Sequence, residues 1–196
     1  MEAEGLAGLL GVGHSAGATT VACLAADQPR RFSRLLLIDP ILFDPKEMAT
    51  TAGFSNPLAE RARKRRMVWA SREELLASFS SRPPYDSWSA EALAAYVDHG
   101  SFERPDGEVE LLCPGRIEAQ VYANAGGLDG FARLAGVTVP TLIVRGRDSD
   151  AFPAQRAARA VATISGSRLV TVAGSHFSPM ERPAEIARLV VAEAGS

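Results

Sequence analysis

The chain has 196 residues, 46% hydrophobic and 22% charged, with a net charge of −2. That length fits one ordinary globular domain, or one domain carrying an insertion, and the balance excludes a disordered, collagen-like or strongly basic nucleic-acid-binding chain. Two distant cysteines, Cys23 and Cys113, give neither a disulfide framework nor a metal-ligand spacing, which points to a reducing, cytoplasmic setting.

Residues 5–26 carry no charge and are numerous enough to span a bilayer. Five glycines, His14, Ser15, Thr19 and Thr20 argue against a membrane span, and the acidic start (Glu2, Glu4) argues against a secretory signal. The same residues read better as a strand over 6–12, a glycine-rich turn, and an alanine-rich helix over 16–27 that breaks at Pro29. A second strand is predicted over 35–38, closed by Asp39-Pro40. After Pro140, residues 141–144 form a third strand ending at Gly146, followed by a helix over 154–161. A fourth strand over 168–172 stops at Ala173-Gly174, and residues 183–194 make a closing helix. Short, uniformly apolar strands alternating with helices predict a parallel sheet covered on both faces.

Residues 45–135 differ. They hold most of the large aromatics (Phe54, Trp69, Phe79, Tyr85, Trp88, Tyr96, Phe102, Tyr122, Phe131) and a charge-dense stretch over 60–66. Helix-like segments fall near 57–69, 72–79 and 89–98, so this is expected to be a mainly helical lid inserted between residues 1–44 and 136–196. Its aromatics read as lid core, and its arginines as a solvated helix face.

Three places carry chemistry. Gly13-His14-Ser15-Ala16-Gly17 fits G-x-S-x-G between a strand and a helix, where a sharp turn exposes a serine hydroxyl. The glycines on either side relieve crowding at that turn, and the helix N-terminus favours developing negative charge. His14 is expected to pack beneath the site. Gly174-Ser175-His176-Phe177 follows the last strand, and an imidazole there titrates in the range a general base needs. For the carboxylate that orients it, Asp39, Asp148 and Asp150 all lie at strand ends, where open α/β sheets build their sites.

With these landmarks the chain resembles the α/β-hydrolase superfamily, in particular lidded serine hydrolases of the esterase type. The resemblance rests on the elbow at 13–17, the strand end at 35–40, Pro-Thr-Leu-Ile-Val-Arg-Gly at 140–146, and Gly-Ser-His-Phe-Ser-Pro-Met-Glu-Arg-Pro at 174–183. It implies a partial α/β-hydrolase fold: a parallel sheet of about four strands, equivalent to family strands five to eight, with a helical lid. It implies Ser15 as nucleophile, His176 as base and the N–H of Ala16 as an oxyanion-hole donor. In the usual family register the acid's slot holds Ser149 here. Asp150, one residue on, and Asp39, 24 residues after Ser15 as in some relatives, therefore stand nearly level, with Asp148 third.

The resemblance also implies that strands one to four are missing, together with the loop that supplies a second oxyanion donor, worth about 3–4 kcal/mol. A wrong start at Met1 or a fragment of a longer hydrolase would account for this, and the bared strand edge would favour a homodimer. The expected activity is cleavage of a small-molecule carboxylic ester or related acyl bond through an acyl-enzyme, with no metal or organic cofactor, no nucleic acid and no membrane partner. The alternative is a truncated or non-catalytic relative that binds a small apolar ligand or needs its missing N-terminal half.

Overall fold

The computed structural model describes residues 5–43, 56–124 and 129–195. In chain order the elements are β1 (Leu9–His14), α1 (Ala16–Asp27), β2 (Phe32–Ile38), α2 (Pro57–Lys64), β3 (Val68–Trp69), α3 (Arg72–Ser80), α4 (Ala90–His99), β4 (Ser101–Glu103), β5 (Val109–Leu111), α5 (Gly115–Asn124), α6 (Gly130–Leu134), β6 (Thr141–Gly146), α7 (Ala154–Thr163), β7 (Arg168–Val172), α8 (Ser178–Glu181) and α9 (Pro183–Ala194). They fall into two compact units, one built from 5–43 and 129–195, the other from 56–124.

In the first unit four strands form a parallel sheet in the order β1-β2-β6-β7. The central strands are continuously apolar over Leu35–Ile38 and Leu142–Val144, where both of their faces are covered. Leu35 and Leu37 of β2 and Ile143 of β6 pack against Ala18, Ala22 and Ala25 of α1, Phe131 and Leu134 of α6, and Ala157 and Ala160 of α7. The alternate residues Leu36, Ile38, Leu142 and Val144 face Ile186, Leu189 and Val190 of α9. Alternation along each strand sends successive side chains to opposite layers. Alanines at α1's buried positions keep the helix close to the sheet, which sets the height of its first turn at the strand tips.

The strands fall near their expected places with shifted bounds: β1, expected over 6–12, runs from Leu9 to His14, directly against Ser15, β2 begins earlier, at Phe32, and α6 lies within the stretch expected to be lid. The uncharged stretch 5–26 is divided between β1 and α1, and among the described residues no helix is long and apolar enough to cross a membrane. Among the described residues β1 pairs only with β2, and Val12 within it and Leu6 before it are exposed. Phe131, grouped with the insertion on sequence grounds, packs in the core of the sheet.

The second unit is not wholly helical. Its short strands form an antiparallel sheet, β3-β5-β4, packed with α3 and α4 around Trp69, Leu75, Phe79, Leu93 and Val97. Tyr85 stacks on Phe79 and Tyr96 packs against both, while Trp88 meets Tyr85 and Tyr96 edge-on, forming an aromatic core. The helix expected over 57–69 ends at Lys64, and the chain then extends into β3. Helices α2 and α5 pack through Ala59, Ala62 and Ala119, joined by an Arg65–Glu118 ion pair. Phe54 and the expected boundary at 44/45 lie outside the described residues.

Candidate active site

Ser15 stands between β1 and α1 with φ 57° and ψ −128°. A non-glycine residue in this region costs on the order of 1–3 kcal/mol and persists only where its surroundings enforce it. Here its N–H donates to Ile38 O (2.9 Å), and its carbonyl accepts from Ala18, Thr19 and Ile41 N–H groups. A serine preceding a helix ordinarily turns its hydroxyl back onto the first-turn N–H groups. Ser15 makes no such cap. Its Oγ instead lies 2.9 Å from His176 Nε2.

The glycines of the elbow are not equivalent. A Cβ on Gly13 would fall 2.6 Å from Ala18 Cα and Gly17 O, so a side chain is sterically barred there. A Cβ on Gly17 would meet nothing within 4 Å among the described residues, so crowding does not account for that glycine. Ala16 opens α1, and its N–H is one of the first-turn donors that a helix leaves without an internal partner.

The strand order sets a geometric problem. Ser15 follows β1 and His176 follows β7, at opposite edges of the sheet. Three strand spacings of about 4.8 Å separate those tips, roughly 14 Å. The segment from Val172 must therefore fold back over the tips of β6 and β2. Gly174, at φ 109°, makes the turn. Gly146, the last residue of β6, lets it pass: a Cβ there would lie 2.8 Å from Gly174 O and closer still to Ser175 O. Glu181 fastens the crossing segment, accepting from Ser175 N–H (2.7 Å) and from the Ser175 hydroxyl (2.6 Å), while Ser175 Oγ accepts from Phe177 N–H (3.1 Å).

Asp39 lies beneath this crossing, at the tip of the strand next to β1. It is fully buried and also adopts a left-handed conformation, φ 42°. Its Oδ2 accepts the Gly146 N–H at 2.7 Å. Its Oδ1 is 3.9 Å from His176 Nδ1, and among the described residues neither atom makes a hydrogen bond. Each would otherwise carry the cost of a buried unsatisfied polar atom, about 1–3 kcal/mol. A closure of about 1 Å would satisfy both, and catalytic hydrogen bonds are often long in unliganded sites. The loop bearing Asp39 is fixed to the serine turn by Ile41 N–H on Ser15 O and by the Thr19 hydroxyl on Ile41 O (2.6 Å).

Asp150 and Asp148 are exposed, and among the described residues no hydrogen bond or ion pair joins either side chain to His176. Ser149, in the family's usual acid slot, is buried and accepts the Phe152 N–H at 3.1 Å, a turn-capping role. Thus Ser15, His176 and Asp39 come together and Asp150 stays apart.

His14 lies within this constellation too. Its Nε2 is 2.7 Å from His176 O, and the two rings lie 4.9 Å apart. Burial pushes its pKa below the ordinary imidazole value, against the opposing pull of that hydrogen bond. Sequence reasoning did not single out Thr19, Gly146 or Glu181. The last two stand inside the blocks that carry the family resemblance, which was the only available signal. Among the described residues, no cluster of His, Cys, Asp and Glu suited to a metal ion is present.

A sequence model described as "Alpha/beta hydrolase family" matches residues 2–189. Abhydrolase domain-containing protein ACTT2-1 of Alternaria alternata is 26% identical over 219 residues, covering 93% of this chain and 81% of that protein. Among solved structures, E-2-(acetamidomethylene)succinate hydrolase superposes with a TM-score of 0.79 at 22% identity, covering 97% of this chain and 68% of that one. An esterase of Mycobacterium tuberculosis, Rv0045c, superposes with a TM-score of 0.68 at 19% identity, covering 95% and 62%. At these identities the structural matches speak for the fold alone.

Proposed function

The chain belongs to the alpha/beta hydrolase family, and from that premise we propose that it is a serine hydrolase acting on a carboxylic ester or related acyl bond. The observation that carries this reading is the 2.9 Å approach of His176 Nε2 to the hydroxyl of a serine held at positive φ where a helix begins.

In the proposed reaction Ser15 Oγ attacks the acyl carbon while its proton passes to His176 Nε2. The oxyanion that forms accepts the Ala16 N–H at the start of α1, where the helix dipole adds to the attraction. Collapse expels the alcohol, which takes the proton from His176, and leaves an acyl-Ser15. Water then repeats the sequence, with His176 as base, and releases the acid. Asp39 serves as the third member. Its Oδ1 faces Nδ1 of His176, so it favours the tautomer with a free Nε2 and stabilises the imidazolium. Its other oxygen, held by the Gly146 N–H, keeps the carboxylate from turning away.

A second reading, a non-catalytic relative that binds a small apolar ligand, draws on the 3.9 Å gap between Asp39 and His176. One experiment separates the two: hydrolysis of short p-nitrophenyl esters, with fluorophosphonate labelling, by the parent chain and by Ser15→Ala. The hydrolase reading expects turnover and labelling that both vanish in Ser15→Ala. Parent-level turnover by that variant refutes it, and a parent that neither labels nor turns over favours the binding protein.

A further inference from the structure

We propose that His14 is a positioning residue: its Nε2–H grips the backbone carbonyl of His176 and thereby holds the base's ring on Ser15. The inference deepens the serine-hydrolase reading and rests on it. His14 is the last residue of β1, paired with Ile38 of β2, and it directly precedes Ser15. Its ring nitrogen lies 2.7 Å from an oxygen 162 positions away along the chain. A carbonyl can only accept, so Nε2 of His14 must carry the proton, and the neutral ring is the Nε2–H tautomer.

Two lines of constraint meet at His176. Its neighbours Ser175 and Phe177 are fastened from the α8 side by Glu181 and the Ser175 hydroxyl. Those bonds fix the segment to its own helix, not to the nucleophile across the sheet. Among the described residues, no other hydrogen bond reaches the His176 carbonyl. The His14 bond therefore ties the base's backbone to the residue beside the nucleophile. Nucleophile and base then share one reference point, and a drift of the crossing segment relative to β1 must first break that bond. The tether matters because a misplacement of about 1 Å at a reacting pair can cost about 100-fold in rate.

A purely space-filling His14 makes different predictions from a tethering one. His14→Leu keeps much of the volume and removes the donor, whereas His14→Gln retains an N–H donor on a side chain of similar reach. With a p-nitrophenyl ester, His14→Leu is expected to lower kcat about 10- to 100-fold with KM unchanged, to slow fluorophosphonate labelling in proportion, and His14→Gln to regain most of the loss. Parent kcat in a folded His14→Leu overturns the inference, as does a folded His14→Gln no faster than the leucine variant. A readout on the unaltered chain guards against a variant that does not fold. Nitrogen-15 imidazole NMR should show His14 protonated at Nε2 at neutral pH, and protonation at Nδ1 alone would overturn the tether. Failure of the hydrolase reading itself appears elsewhere, as undiminished turnover by Ser15→Ala, and the NMR result still decides the tether.

Discussion

Gly146→Ala adds a single methyl group at the point where the His176 segment crosses the tip of β6. The new Cβ would lie 2.8 Å from Gly174 O and nearer still to Ser175 O. Ordinary contact needs about 3.5 Å, so the Gly174 carbonyl must retreat by about 0.7 Å and the Ser175 carbonyl by more than about 1 Å. Backbone atoms cannot rotate away as a flexible side-chain tip could, so either the segment rises or the β6 tip sinks. If the segment rises, His176 Nε2 leaves its 2.9 Å approach to Ser15 Oγ. If the tip sinks, the 2.7 Å bond from Gly146 N–H to Asp39 Oδ2 is lost. Overpacking of this kind costs about 1–3 kcal/mol, which lowers Tm by about 2–12 °C in a chain of this size. A shift of about 1 Å at the reacting pair costs about 100-fold in kcat. The assays are a thermal melt and p-nitrophenyl ester turnover at 25 °C, with Gly17→Ala as the control. At Gly17 a Cβ meets nothing among the described residues, and alanine suits a helix better than glycine, so Tm should hold or rise. Parent-like Tm and kcat in Gly146→Ala would refute the account of how the segment reaches Ser15.

Two further outcomes follow from the same geometry. Asp39→Asn keeps an acceptor for the Gly146 N–H but loses the charge facing His176, so kcat should fall by about 10²–10⁴, whereas Asp150→Asn should stay within about twofold; the reverse ranking in steady-state kinetics would reassign the acid. Burial lowers the folded-state pKa of His14 below 6.5, so as pH falls the unfolded chain takes up its proton first. The stability this group contributes is fully present above about pH 6.5 and is lost as pH drops through the lower folded value. Urea midpoints at about pH 7.5 and pH 5.5 should therefore diverge less in His14→Gln than in the parent, and equal acid losses in both would contradict that sign.

Much of the sheet was legible in the sequence because each strand is a short apolar run closed by glycine or proline, and such punctuation acts locally. The turn at Ser15 and the His176 segment were legible for the same reason: each is one contiguous stretch with its own backbone requirement, seen in the positive φ of Ser15 and Gly174. The antiparallel β3-β5-β4 sheet was not, since strands of two or three residues are too short to display a period.

The carboxylate that faces His176 shows where the sequence stops. Asp39, Asp148 and Asp150 all follow strands, and nothing local ranks them. Strand order does: β2 lies between β1 and β6, so a residue at its tip is buried under the segment that crosses from β7, while Asp150 is left in solvent. The same holds for Gly146, whose missing side chain matters only because that segment passes over it, and for His14, whose partner is 162 residues distant. The sequence by itself determined the elements of the parallel sheet and the turns that carry Ser15 and His176 near opposite ends of the chain. Which carboxylate faces His176, which glycine lies under its segment and which second histidine meets its carbonyl were decided by the order in which the strands pack, because burial and approach depend on neighbours in space.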